Sequence, residues 1–135
     1  MSNNILKVGF IGFGKFSNVR LSIIKKYPRV KIVGFYDPYV ESSDGIKKYH
    51  ELNNLLSNVD AVLISVPPAL APEYVVASLS TGKNVFCEKP AAINYEGLKI
   101  IEPYLDNNLV LGYGFNHRQH GSIRKISEII SSKSL

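Results

Sequence analysis

A chain of 135 residues is long enough for one domain with its own core and too short for two. Hydrophobic residues make up 45% and charged residues 20%, the balance of a folded globular domain rather than a disordered one. The net charge of +5 comes from scattered lysines and arginines, with no zinc-ligand spacing, recognition-helix pattern or aromatic RNA-binding motif among them. It reads as a solvated basic face with mild attraction for an anionic cofactor, and no nucleic-acid partner is expected. No apolar run approaches the ~18 residues of a membrane span, so no membrane partner is expected either. The N-terminus lacks the charged and apolar regions of a signal peptide, and the single cysteine, Cys87, has no internal partner. Both point to the cytoplasm.

The first element is an apolar strand, Ile5, Leu6, Val8, Phe10 and Ile11, that runs into Gly12-Phe13-Gly14-Lys15-Phe16-Ser17. This has the form of a strand, a glycine turn and the first turn of a helix. Gly12 permits the turn, and Gly14, without a Cβ, lets a pyrophosphate approach the backbone. The free N–H groups near Lys15 and Phe16 would meet it at the helix N-terminus. Ser17 stands at the third position of the Gly-x-Gly-x-x-Gly pattern, small enough for close helix–strand packing. Phe16, Val19, Ile23 and Tyr27 follow at helical spacing, and Pro28 closes the helix.

A second strand over 30–36 ends at Asp37-Pro38. A carboxylate at Asp37 suits the hydroxyls of an adenosine ribose and repels a 2′-phosphate, which favours NAD over NADP. An ordinary Asp-Pro turn is the structural alternative. The stretch 39–57 is weakly patterned and reads as a short helix, an edge strand near 46–49 and a helix near 51–57. The run 59–66 has the continuous apolar character of a buried parallel strand and stops at Pro67-Pro68. Pro72 and Gly82 bracket a helix over 72–81, and a strand over 84–87 runs into Glu88-Lys89-Pro90. Asn94 is a candidate N-cap for a helix carrying Leu98, Ile101 and Leu105 inward, which Pro103 should kink or break. A last strand over 109–113 precedes Gly114-Phe115-Asn116-His117-Arg118, and Ile123, Ile126, Ile129 and Ile130 mark a final amphipathic helix.

Strands alternating with helices predict an α/β fold: a doubly wound, mostly parallel open sheet of the Rossmann type with helices on both faces. In such sheets ligands bind beyond the carboxyl ends of the strands. Gly12 and Gly14, Asp37, Ser65-Val66-Pro67-Pro68 and Glu88-Lys89 all fall at those ends.

Gly-Phe-Gly-Lys-Phe-Ser, Tyr-Asp-Pro, Ser-Val-Pro-Pro, Gly-Lys-Asn-Val-Phe-Cys-Glu-Lys-Pro and Gly-Tyr-Gly-Phe-Asn-His-Arg occur here in the order in which they occur in Gfo/Idh/MocA-type oxidoreductases. Nearly the whole chain resembles the nucleotide-binding domain of that family. The resemblance implies NAD(P)-dependent hydride transfer at a hydroxyl carbon of a sugar, sugar nucleotide or polyol. Carried over by position, Gly12, Gly14, Lys15 and Phe16 would hold the pyrophosphate and Asp37 the ribose. Ser65, Pro67 and Pro68 would line the cleft, and Glu88 and Lys89 would reach the nicotinamide side. Lys89 would be catalytic, holding the reacting oxygen; an exposed strand-end lysine is the structural alternative. His117 reads first as a loop residue, though it and Arg118 could face substrate.

The family's substrate domain, with its usual Asp-x-x-x-His pair, has no counterpart in these residues, and Ala71-Pro72-Glu73 stands where a histidine often follows Pro-Pro. Residues 1–135 are therefore expected to form one dinucleotide-binding domain. That domain should bind NADH, oxidise no sugar alone and have some tendency to form homo-oligomers. A stand-alone NAD-sensing module and, further off, an adenosylmethionine-dependent methyltransferase are the rival readings.

Overall fold

The computed structural model describes residues 4–41, 43, 45–105 and 108–132. Six strands form one sheet: β1 (Leu6–Ile11), β2 (Val30–Tyr36), β3 (Lys48–Tyr49), β4 (Ala61–Ile64), β5 (Asn84–Cys87) and β6 (Leu111–Tyr113). Their order is β3-β2-β1-β4-β5-β6 and every pairing is parallel. The chain thus lays strands outward from β1 in one direction, then returns and continues in the other. The expected Rossmann-type sheet is present, with its switch point between β1 and β4.

Helices α1 (Lys15–Ile24), α2 (Leu52–Leu56), α3 (Ala71–Ser80), α4 (Tyr95–Lys99) and α5 (Gly121–Ser131) complete the fold. Alternate residues of the strands face opposite sides. Ile11, Val62, Ile64, Val85 and Cys87 pack with Leu55, Leu56, Val75 and Leu79 of α2 and α3. Phe10 and Phe35 pack on the other side with Phe13 and with Leu21 of α1. The Phe13 ring stacks on Phe35 at 4.3 Å and meets Phe10 edge-on at 5.4 Å, which pins the glycine turn onto the sheet. Burial pushes the Cys87 thiol up to about 11, so it remains a protonated, unreactive core group. No helix of the described residues is long and apolar enough to cross a membrane.

Four expectations are corrected. Helix α1 ends at Ile24 instead of continuing to Pro28, and Tyr27 lies in a turn whose carbonyl accepts from Val30 N. The stripe of Phe16, Val19 and Ile23 faces outward; Ser17 and Leu21 are buried, with Arg20 and Ile24 half-buried. The two stripes differ by one residue, a rotation of about 100° on a helix. Two contacts of the inner face select it: the Ser17 hydroxyl donates to the Gly12 carbonyl at 2.6 Å, and Arg20 pairs with Glu88. The described residues of 39–45 form no helix; a bridge between Ser43 and Ile46 precedes the two-residue β3. The Pro103 break holds, dividing α4 from a 3-10 turn over Glu102–Tyr104. Of the three residues expected to point inward there, Ile101 is buried and Leu98 and Leu105 are exposed.

The α1 side of the sheet is only half covered. A cavity of about 400 Å³ opens over β1, β4 and β5, lined by Val8, Ile24, Leu63, Phe86 and Val110. Helix α5 does not fill it, and none of its isoleucines is buried.

Candidate functional site: a cleft across the strand ends

The carboxyl ends of five strands are level. Tyr36 is in register with Ile11, Ile11 with Ile64, Ile64 with Cys87, and Cys87 with Tyr113. The residues just beyond this row continue the ladder. Gly12 N donates to Tyr36 O at 2.9 Å, Ser65 N to Ile11 O at 2.8 Å, Glu88 N to Ile64 O at 2.9 Å and Gly114 N to Cys87 O at 2.9 Å. One band of backbone hydrogen bonds therefore holds the loops after β1, β2, β4, β5 and β6 side by side. This brings together the segments singled out in the sequence.

Gly12 has φ +80°, and a Cβ there would lie 2.5 Å from the Ser65 carbonyl oxygen. The turn is built against the β4 loop and admits no side chain. Gly14 is the opposite case: a Cβ would meet no protein atom within 4 Å. The amides of Gly14, Lys15 and Phe16 donate to no acceptor among the described residues, because the first α1 hydrogen bond is Asn18 N to Gly14 O at 3.2 Å. The result is an open concavity edged by free N–H groups, with the positive end of the helix behind it.

Asp37 is buried, and its carboxylate is held by three backbone donors. Phe13 N reaches Oδ2 at 2.7 Å; Tyr39 N and Val40 N reach Oδ1 at 2.8 and 3.1 Å. Of its roughly four acceptor positions, one is left for anything else. The expected pair of ribose hydroxyls thus narrows to about one. A cavity of about 220 Å³ joins Gly12, Gly14, Asp37, Ser65 and Pro67 to Tyr36, Tyr39, Leu70 and Tyr74, whereas Pro68 is not part of its lining. The Tyr36 and Tyr74 rings lie 6.2 Å apart. Burial, with the neighbouring Tyr36 second, raises the Tyr74 hydroxyl above its ordinary range.

Ser65 lines both this cavity and a smaller one of about 160 Å³ shared with Phe16, Val66, Glu88 and Lys89. Its hydroxyl is a buried, orphaned group with no hydrogen-bond partner among the described residues. Free backbone amides, a glycine with open space, and an orphaned hydroxyl are what a bound dinucleotide would satisfy. The residues fit such a group. A roomier cavity of about 630 Å³ lies beside Gly82, Pro103 and Leu109, near the opposite strand ends, and has none of these features.

Glu88 is engaged inside the protein. Arg20 Nε donates to Glu88 Oε1 at 2.6 Å, a second guanidinium nitrogen contacts the same oxygen, and the Arg20 Cζ sits 4.6 Å from the Phe86 ring centre. Gly114 makes room for the pair, since a Cβ there would lie 2.7 Å from Glu88 Oε2. Burial lowers the Arg20 guanidinium from its ordinary value, though it stays charged at any working pH. Lys89, by contrast, is exposed and makes no hydrogen bond or ion pair among the described residues. The sequence reading missed Arg20. Its one available signal was its place three residues after Ser17, on the same helix face.

Arg20→Ala should strip a part-buried carboxylate of its partner and loosen α1 from β5. The expected loss is about 1–3 kcal/mol in urea unfolding, below the value for a fully buried pair because both side chains keep some exposure. Adding Glu88→Gln should recover part of it; a double variant less stable than Arg20→Ala would contradict the pairing.

Residues 6–115 match the Gfo/Idh/MocA family model, described as an oxidoreductase family with an NAD-binding Rossmann fold. The chain belongs to the Gfo/Idh/MocA oxidoreductase family. It is the family's NAD-binding Rossmann domain that these residues represent, as the strand order and glycine turn require. Among Gfo/Idh/MocA relatives, glucose-6-phosphate 3-dehydrogenase of Bacillus subtilis is 24% identical over 136 residues, covering 96% of this chain and 39% of that protein. Myo-inositol 2-dehydrogenase of Thermotoga maritima is 26% identical over 140 residues, covering 96% and 42%. The WlbA dehydrogenase of Bordetella pertussis, solved in complex with NADH and UDP-GlcNAcA, shares the fold with a TM-score of 0.85 at 21% identity. That match covers 98% of this chain and 41% of that one. The chain thus spans about two fifths of the length of the curated relatives it matches.

Proposed function

We propose that residues 1–135 form the NAD(H)-binding unit of a cytoplasmic enzyme that moves a hydride to or from a hydroxyl-bearing carbon of a sugar or polyol. The observation that carries this reading is the hydrogen-bonded row at the strand ends, which gathers Gly12, Asp37, Ser65 and Glu88-Lys89 along one cleft. Gly12 and Gly14, with the amides of Lys15 and Phe16, hold the pyrophosphate. Asp37 takes a ribose hydroxyl, while Tyr36, Leu70 and Tyr74 flank the adenosine. Ser65 and Pro67 border the middle of the cofactor, and Glu88 and Lys89 lie at its nicotinamide end. The activities of the relatives support a sugar or polyol as substrate.

When bound, the nicotinamide accepts or supplies the hydride. What falls to this chain is the substrate oxygen. The Lys89 ammonium donates a hydrogen bond to it and stabilises the negative charge that develops as the hydroxyl proton passes to a general base, a role that Lys89 does not fill while it stays protonated. The Arg20 clamp matters here. With Glu88 turned to Arg20, the adjacent carboxylate does not neutralise Lys89, and the ammonium stays free for substrate. The unburied isoleucines of α5 support association between copies.

Asp37 supplies the test. A fixed carboxylate beside the ribose should make NADH bind at least about tenfold more tightly than NADPH, since two like charges in contact cost more than 1.4 kcal/mol. Asp37→Ser removes the carboxylate that accepts from three backbone N–H groups, along with its charge, and will lower stability. The readout is therefore the ratio of the two affinities, which does not depend on how much protein is folded. That ratio should move toward one. Wild-type protein that binds NADPH as tightly as NADH would overturn the placement of Asp37.

A further inference from the structure

Lys89 lines two cavities. One is the small cofactor-side space described above, and the other is an open cavity of about 620 Å³ bordered by Phe115, Asn116, His117, Arg118 and His120. Its wall is built locally. After Gly114 bonds to the end of β5, the chain winds into a 3-10 turn over Asn116–Gln119. Residues three apart eclipse one another in such a turn. His117 and His120 accordingly stack, with ring centres 5.0 Å apart and planes 22° apart. Arg118 folds back so that its Cζ lies 5.8 Å from the Phe115 ring.

The chemistry of this wall is one-sided. It carries two cationic side chains, two imidazoles, a carboxamide and an aromatic ring, and no acidic residue among its described lining. Lys89, His117, Arg118 and His120 form no ion pair among the described residues, and Glu88, the carboxylate next door, is committed to Arg20. A neutral polyol would leave this charge unanswered. A guanidinium and an ammonium facing one space match a phosphate or carboxylate, with the Arg118 fork able to bind it in bidentate fashion. The volume is that of a small-molecule site.

We propose that this cavity receives the phosphate or carboxylate of an anionic sugar derivative, with Arg118 and the His117–His120 pair gripping the anion while Lys89 attends the reacting hydroxyl. The inference rests on the reading of Lys89 given above and narrows its substrate class from sugars and polyols in general to anionic sugars.

The test is calorimetric titration of the purified chain with glucose, glucose 6-phosphate, glucuronate and inorganic phosphate, each with and without saturating NADH. Glucose 6-phosphate or glucuronate, or both, should bind about tenfold or more tightly than glucose; the two arms separate a phosphate site from a carboxylate site. Arg118→Gln should remove about tenfold of that affinity and leave NADH affinity unchanged. Equal affinity for glucose and its charged derivatives, or no binding of any sugar, overturns the proposal. So does charged-sugar binding that survives Arg118→Gln, or inorganic phosphate bound as tightly as glucose 6-phosphate. A failure to bind NADH counts against the cofactor reading instead, and the titrations without NADH still decide this one.

Discussion

Gly14→Val is expected to reduce NADH affinity by roughly a hundredfold or more, equivalent to about 2.7 kcal/mol. It should lower stability by only about 1 kcal/mol, the usual size of a change at a helix N-cap. The asymmetry comes from where the new side chain goes. Gly14 has φ −82°, a value any residue adopts, and its Cβ would enter space that contains no protein atom within 4 Å. The fold thus has no objection to valine at this position. A pyrophosphate brought up to the amides of Lys15 and Phe16 does, because the branched carbon occupies its place. Quenching or enhancement of NADH fluorescence gives the affinity, and a urea melt gives the stability. Unchanged affinity would mean that the dinucleotide lies elsewhere.

Gly12→Ala should do the reverse, damaging the fold itself. Its φ of +80° is a conformation that L side chains rarely adopt, and the Cβ would stand 2.5 Å from the Ser65 carbonyl oxygen and 2.8 Å from Val66 Cγ1. The Ser65 backbone cannot retreat without breaking its own bond to Ile11 O at 2.8 Å. Conformational strain and overpacking together should cost about 3 kcal/mol or more, a large share of the 5–15 kcal/mol typical of a domain. The measurement is urea unfolding followed by circular dichroism. A variant within about 1 kcal/mol of wild type would contradict the account of the turn. The two substitutions separate two jobs that a glycine motif presents as one: Gly12 makes the turn, and Gly14 leaves the room.

The parts of this fold that were legible in the sequence are those where local chemistry and tertiary packing agree. Asn84–Cys87 forms a strand with the bounds its apolar run suggested, and Gly82 ends α3 with φ +73°. Asn94 caps α4, its side chain accepting from Gly97 N at 3.0 Å. In helix α1 the more apolar stripe, Phe16, Val19 and Ile23, faces outward, while the inner face mixes Leu21 and Ile24 with Ser17 and Arg20, so periodicity alone selects the wrong face. The choice is made by Ser17 and Arg20, whose partners Gly12 and Glu88 are five and 68 residues away. The cleft was legible as a set of strand-end segments. Its level floor was not, because that depends on the register of five strands. The same holds for the pairing of Glu88 with Arg20, whose members lie 68 residues apart.

The central claim is that a nicotinamide dinucleotide lies along the strand ends, from Asp37 across the glycine turn to Lys89. The most direct test is backbone amide NMR of the labelled chain titrated with NADH. Saturable shifts should concentrate at Gly12–Phe16, Asp37–Tyr39, Ser65–Val66 and Glu88–Lys89, with the interiors of α2 and α3 little changed. Shifts that centre instead on the cavity beside Gly82 and Leu109, or no saturable shifts at all, would contradict the account.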